Sequence, residues 1–332
     1  MRERSKQQVL EELKKRKGEY VSGEELSRNL GLSRTAIWKH IRTLRRDGYR
    51  ISASTRRGYA LLYIPDRLYP EEVYAGLKTA WVGRTFYYYE QVGSTNQVAK
   101  ELAEKGAPEG TAIVAEEQTG GRGRLGRGWL SPAGKGIWLS LILRPRVAPW
   151  QIPQLSLLAA VGVVSAIEES TGLKVGIKWP NDILSSGKKL CGILTEMRAE
   201  VEIIQYVILG IGLNVNLDIE DFPEDLRPLS TSLKIELGKE VPRLPLLKSL
   251  LYHLEKGYEV WEKEGFSSIR ESWKKANVTL GRPVRIEAGR KVFEGVAVDI
   301  DEEGGLWVKG ADGNLERFTY GEVSLRNLAG SQ

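Results

Sequence analysis

The sequence predicts an α/β multidomain chain with a winged helix-turn-helix head, a mixed α/β middle and a small all-β tail. Three observations predict it. The chain has 332 residues, 41% hydrophobic and 28% charged, which suits two or three globular domains and excludes wholesale disorder. Its charge is uneven: residues 1–64 hold 16 Lys/Arg against 7 Asp/Glu, net +9, and the remainder holds 33 against 36, net −3. The periodicity also changes, from alternating helix and strand patterns in the middle to short strands and turns over about the last fifty residues.

Composition narrows the chemistry. Cys191 is the only cysteine, and His40 and His253 are the only histidines. That excludes an intramolecular disulfide framework and a multi-thiolate zinc site, and leaves little room for a Ser-His-Asp triad. No metal ligands are singled out, so enzymatic chemistry would fall to arginine, lysine and carboxylates. Residues 1–9 lack a signal-peptide core, and the longest apolar stretch, 152–167, is too short and interrupted to span a bilayer. A soluble cytoplasmic protein with no membrane partner is expected.

In the head, Ser22-Gly23-Glu24-Glu25 is a capping box that opens a helix ending near Gly31, and Ser33 caps the next. There Ile37, Ile41 and Leu44 recur at i, i+4, i+7 and face a core, leaving Arg34, Thr35, Lys39, Arg42 and Arg46 outside. Two strands follow, over 49–52 and 59–62, joined by a loop carrying Arg56 and Arg57. The second helix would enter a major groove of double-stranded DNA and the hairpin wing would touch phosphates. The alternative is a structural three-helix module with a solvated basic face, and the +9 charge favours DNA. Trp38, beside the exposed face, is expected to be a partly buried aromatic and not a base contact.

Ile64-Pro65-Asp66 breaks the wing pattern and marks the boundary. Beyond it, strands are expected over 85–89, 111–115, 138–143, 174–178, 190–198 and 205–213. Ser94-Thr95-Asn96-Gln97 reads as a second capping box, 152–169 as a helix, and Leu247, Leu250, Leu251, Leu254, Tyr258 and Trp261 mark a long helix containing His253. Short tail strands are expected over 282–287, 291–300, 306–309 and 315–320.

The informative stretch is Gly121-Arg122-Gly123-Arg124-Leu125-Gly126-Arg127-Gly128-Trp129. It contains G-x-G-x-x-G, but Trp129-Leu130-Ser131-Pro132 does not open the helix that a dinucleotide fold requires. Nor is there a P-loop or a kinase motif. What remains is a flexible backbone with three guanidiniums, which a polyphosphate would neutralise and order. Lys178-Trp179-Pro180-Asn181-Asp182 ends one strand and Lys188-Lys189-Leu190-Cys191-Gly192 starts another. Lysines at strand ends can hold a phosphate; each taken alone also suits a solvated strand end, Asp182 suits a turn, and Cys191 suits a buried hydrophobe.

These segments, with Gly210-Ile211-Gly212-Leu213-Asn214-Val215-Asn216, resemble the signature segments of biotin–protein ligases. With the basic head in front, the chain from about residue 20 to 328 resembles the bifunctional biotin ligases that also repress biotin operons in bacteria. The resemblance implies three domains: a winged helix-turn-helix at 1–64, a biotin-ligase catalytic domain at 65–275 and an SH3-like barrel at 276–332. It implies two-step chemistry with ATP and Mg2+, in which biotinyl-5′-AMP forms and a lysine of a carboxylase carrier domain then takes the biotinyl group. It also implies an operator and a homodimer in the adenylate-bound state.

By the same resemblance, Ser94, Thr95, Asn96, Gln118, Arg122, Gly123, Arg124 and Lys189 are expected at biotin, with Lys189 and Arg124 catalytic. Arg122, Arg124, Arg127, Trp129, Asn181, Asp182, Asn214, Arg285 and Arg326 are expected at the nucleotide. Ser94 has a rival role as helix N-cap, so Thr95 is the safer ligand. Leu125 departs from family members that carry a further arginine in the loop, which lowers the loop's charge. Two other readings stand beside this one: a transcription factor that only senses a small molecule, and a lipoate or other acyl ligase of related fold.

Overall fold

The computed structural model describes residues 2–200, 203–289 and 291–325, and it divides into two compact units, Met1–Asp66 and Arg67–Gln332. In the first, α1 (Arg2–Lys15), α2 (Gly23–Leu30) and α3 (Arg34–Arg46) precede an antiparallel hairpin of β1 (Arg50–Ser54) and β2 (Gly58–Tyr63). Sequence reading did not assign α1, whose few apolar positions, Val9, Leu10 and Leu13, are all buried. The caps form as the sequence dictates. The Ser22 hydroxyl accepts from Glu25 N at 3.0 Å, Gly31 ends α2 in the left-handed region, and the Ser33 hydroxyl accepts from Ala36 N at 3.2 Å. Ile37, Ile41 and Leu44 are buried, which puts Thr35, Lys39, Arg42 and Arg46, at i, i+4, i+7, i+11, on the opposite face.

The second unit runs α4 (Pro70–Tyr74), β3 (Phe86–Val92), α5 (Thr95–Glu104), β4 (Ala112–Gln118), β5 (Gly136–Leu143) and α6 (Pro153–Thr171). Next come β6 (Gly176–Lys178), β7 (Asp182–Ser185), β8 (Lys188–Glu200), β9 (Ile203–Asn214), α7 (Leu233–Leu237), α8 (Arg243–Glu264) and α9 (Ser267–Ala276). The tail holds β10 (Pro283–Ala288), β11 (Lys291–Ile300), β12 (Leu306–Gly310), β13 (Leu315–Phe318) and β14 (Glu322–Leu325). Seven strands form one sheet in the order β3-β4-β5-β9-β8-β7-β6, parallel only between β3 and β4, which α5 connects.

Strand alternation sorts the two faces of this sheet. Ile137, Leu139 and Leu141 of β5 and Leu209, Ile211 and Leu213 of β9 pack into the main core with α6 and α8. Trp138, Ser140, Gly210 and Gly212 alternate with them and so belong to the other face. There Ala99 and Ala103 of α5 pack on Ile113, Ile142 and Ile208. The apolar stretch expected over 152–167 extends through 149–171, long enough by length and composition to cross a membrane. Its Leu155, Leu158, Ala159 and Val163 are buried in the main core, as a core helix requires.

The five tail strands form an antiparallel sheet in the order β13-β12-β11-β10-β14. Among the described residues no ladder joins β13 to β14, so the described part of the tail is an antiparallel sheet, and the small SH3-like barrel expected from sequence is not confirmed. Val284, Ile286 and Leu306 pack into the same core cluster as the seven-stranded sheet, so this segment is part of the second unit.

One ion pair lies deep in this unit. Arg243 Nη1 stands 2.8 Å from Glu116 Oε2 with both side chains about 1% exposed, and it donates to Gly136 O at 3.1 Å. Glu116 Oε1 accepts from Leu68 N at 3.1 Å. The pair fixes β4 two residues before Gln118. Removing one partner strands a buried charge, so Arg243→Met is expected to lower unfolding free energy by about 3–5 kcal/mol, measured by chemical denaturation.

Candidate active site

A cleft of about 590 Å³ opens on the glycine-bearing face of the seven-stranded sheet. Its floor follows from the sequence of β9, where period two puts Gly210 and Gly212 on the face opposite Leu209 and Ile211. Gly192 of β8 pairs with Gly212. A Cβ at Gly210 would lie 2.3 Å from Asn96 Oδ1, one at Gly212 2.4 Å from Trp129 Nε1, and one at Gly192 2.9 Å from the Trp129 ring. Only glycine lets these side chains lie against the main chain.

One end of the cleft is a buried polar network. The Gln118 side-chain carbonyl accepts from Thr95 N at 2.9 Å and from Thr95 Oγ1 at 3.0 Å. Ser140 Oγ lies 2.8 Å from Thr95 Oγ1 and 2.6 Å from Asn96 Oδ1, while Asn96 Nδ2 donates to Glu196 at 2.8 Å. Three oxygen–oxygen contacts here share two hydroxyl protons, which leaves lone pairs able to accept from an incoming N–H. The capping box expected at Ser94 is not formed: Ser94 makes no side-chain cap hydrogen bond, and Gln118 serves the N-terminus of α5 in its place. Trp129 Nε1, buried against Gly212, has no hydrogen-bond partner among the described residues and is a donor awaiting an acceptor.

The other end is cationic. Arg122, Arg124, Arg127, Lys178 and Lys189 line the cleft against Asp182 and Glu322, five cations to two carboxylates. Lys189 Nζ lies 2.7 Å from Asp182 Oδ1 and 5.4 Å from the centre of the Trp129 ring, and Lys178 Nζ lies 3.2 Å from Asp182 Oδ2. Burial acts to raise the Asp182 carboxyl, but the two lysines outweigh it and hold its pKa below the usual carboxylate value. The backbone of Lys189 is pinned on both sides, its N–H donating to Leu229 O and its carbonyl accepting from Thr231 N. Asp182 is the first residue of β7 instead of a free turn residue.

The glycine-arginine loop is a short hairpin here. Trp129 N bonds Gly121 O at 2.9 Å, Gly123 N bonds Arg127 O at 2.7 Å, and Leu125 sits at its tip with φ 55°. Arg124 donates to Asn181 Oδ1 and to Gly321 O, both at 3.1 Å, and burial lowers its guanidinium's pKa. Arg127 pairs with Glu322 at 2.6 Å. Sequence alone expected a loop that waits for a polyphosphate; in the structure, groups from β14 and the 178–182 turn already meet two of its arginines. That turn is itself fastened, with Trp179 N donating to Thr279 Oγ1 and Trp179 Nε1 to Gly304 O.

The cleft brings together Ser94, Thr95, Asn96, Gln118, Arg122, Gly123, Arg124, Arg127, Trp129, Asn181, Asp182, Lys189 and Asn214. Arg285 is not among its lining residues; it stands on β10, paired with Glu287 at 3.2 Å. Arg326 lies outside the described residues. Sequence reading missed Ser140, Glu196 and Glu322, and assigned no role to the glycine floor. The period-two spacing of Gly210 and Gly212 was the available signal. In the other unit Arg34, Thr35, Lys39, Arg42, Arg46, Arg56 and Arg57 are all exposed. Trp38 is half-buried, 50% exposed.

Three family models match: an HTH domain over residues 5–60, the Biotin/lipoate A/B protein ligase family over 88–214 and a Biotin protein ligase C terminal domain over 279–326. The chain is 43% identical to the bifunctional ligase/repressor BirA of Bacillus subtilis (strain 168), over 98% of this chain and 100% of that one. It is 31% identical to the protein of the same name from Escherichia coli (strain K12), over 93% and 94%. Among solved structures it is similar to the biotin protein ligase from Aquifex aeolicus in complex with biotin and ATP, with TM-score 0.63 and 31% identity over 73% of this chain and 99% of that one. On this evidence the chain belongs to the bifunctional ligase/repressor family of biotin protein ligases.

Proposed function

We propose that the cleft joins biotin to ATP and passes the biotinyl group to a lysine of a carboxylase carrier domain, in the cytoplasm, and that the basic head carries the same chain to an operator. One observation supports the reading: Lys189 lines the cationic half with its amine 5.4 Å from the Trp129 ring that lies on the glycine floor, so a carboxylate held over the floor and an α-phosphate held by the cations would meet beside it. The ureido ring of biotin suits the polar end, its N–H groups directed to Thr95 and Gln118. A lipoyl or octanoyl chain brings no N–H donor to the lone pairs of that polar end. A sensor of biotin alone would have no use for five cations around two carboxylates.

In the first step a biotin carboxylate oxygen bonds to the α-phosphorus, the bond to the β-phosphate breaks and pyrophosphate leaves. Lys189 and Arg124 stabilise the charge that gathers on the phosphoryl oxygens. Magnesium would enter as part of the MgATP substrate and would supply charge neutralisation on the phosphates. In the second step the acceptor amine attacks the biotinyl carbonyl and AMP leaves. Asp182, with its depressed pKa, is a poor proton acceptor; its part is to position Lys189. Asn181, Asn214, Arg122 and Trp129 line the nucleotide's path. The adenylate, by ordering the loop, favours a homodimer that presents two winged heads to a two-fold operator.

ATP–pyrophosphate exchange run with biotin, lipoate and octanoate side by side tests the ligase reading. Exchange dependent on biotin is expected; dependence on lipoate would overturn the choice of substrate. In the same assay Lys189→Ala is expected to lower the exchange rate about 10²–10³-fold, the usual effect of removing one donor aimed at developing charge. A wild-type rate would reduce Lys189 to a strand end. Arg124→Gly removes two charge-assisted hydrogen bonds from the loop. It is expected to speed adenylate dissociation on the order of tenfold and to label unrelated proteins added in trans. Unchanged dissociation, with transfer confined to the carrier domain, would contradict the role of the loop as a lid.

A further inference from the structure

We infer that Trp38 reads a thymine-containing step of the operator through the thymine methyl group, a task distinct from that of the basic residues around it. The inference rests on the DNA-binding reading of the head. In α3 every other large apolar side chain, Ile37, Ile41 and Leu44, is at most 1% exposed, whereas half of Trp38 faces water. Trp38 lies in the second turn after the Ser33 cap, between Arg34 and Arg42 at i−4 and i+4 and beside Lys39. The Arg42 guanidinium sits 5.7 Å from the indole centre, which holds ring and charge side by side. An apolar ring left half in water at the edge of a basic face carries a standing cost, and burial against a duplex removes it.

Chemistry limits what the ring can recognise. Arginines and lysines recognise phosphates or the acceptors of guanine, and each phosphate contact releases a counterion. An uncharged indole releases none. It offers a single N–H donor and a broad apolar surface, and the one apolar feature that distinguishes bases in the major groove is the thymine C5 methyl. Trp38 should therefore contribute to sequence preference and leave the salt dependence untouched, the reverse of its neighbours.

The experiment uses the full chain with biotin and MgATP. Wild-type protein selects duplexes from a random pool, and dissociation constants are measured against salt for the selected duplex and a scrambled one. Trp38→Ala is expected to weaken the selected duplex on the order of tenfold while the scrambled duplex and the salt slope stay unchanged. Retained scrambled binding also shows that the head is folded. Lys39→Ala is expected to weaken both duplexes and to reduce the slope by about one. Replacing thymine by deoxyuridine in the selected duplex deletes only the methyl groups; it should weaken wild type and have little further effect on Trp38→Ala. Equal losses on both duplexes, no loss, or wild-type indifference to deoxyuridine overturns the inference. A wild type that enriches no sequence overturns the DNA reading beneath it.

Discussion

The active cleft depends on the absence of three Cβ atoms. Gly192, Gly210 and Gly212 lie on one face of β8 and β9, and each would put a methyl group under 3 Å from a side chain brought there by another element. Asn96 can reach Gly210 only because the first turn of α5 rests directly on the sheet, and that placement aims Thr95 at Gln118. Trp129 can lie over Gly212 and Gly192 only because both are bare, and its ring then sets the height of the loop hairpin above the floor. The pocket is thus a gap in an otherwise well-filled layer. Remove the gap and the polar network and the loop lose their seats together.

Charge organises what the glycines make room for. Asp182 holds two lysines at 2.7 and 3.2 Å. Without it, Lys178 and Lys189 would repel each other across a narrow space, and Lys189 would have no fixed position until a phosphate arrived. With it, Lys189 is held in the cleft and anchored through its own backbone to the 229–231 segment. The same segment is tied farther out, where Thr231 Oγ1 and Ser185 Oγ donate to Glu236 at 2.6 and 2.7 Å. Glu236 therefore braces the strand end that carries Lys189 without touching the cleft itself.

Much of this was legible in the sequence, for identifiable reasons. The caps at Ser22 and Ser33 and the i, i+4, i+7 spacing of Ile37, Ile41 and Leu44 are local signals, and local signals fixed the head. The loop and the Lys-Trp-Pro-Asn-Asp turn carry unusual residue types in a tight order, so the cationic half could be read. Ser94 misled because a capping box is a local pattern, while the true cap, Gln118, comes from a strand more than twenty residues away; no window of sequence contains both. Ser140, Glu196 and Glu322 are ordinary strand residues whose meaning comes only from sheet register. The tail sheet shares its core with the body because Val284, Ile286 and Leu306 face inward, a long-range choice that short strand patterns do not disclose.

The contacts between the loop's arginines and the groups facing them are individually weak. Arg127 is 70% exposed, so its pair with Glu322 contributes only about 0.2–1 kcal/mol. Arg124 bonds two neutral oxygens that water can replace when the loop lifts. In the proposed reaction the adenylate's phosphate would supply a charged acceptor in place of these neutral oxygens. The hairpin arrangement would then be favoured by the ligand beneath it. A more tightly latched loop would guard the mixed anhydride equally well but would slow both substrate binding and delivery to the acceptor lysine.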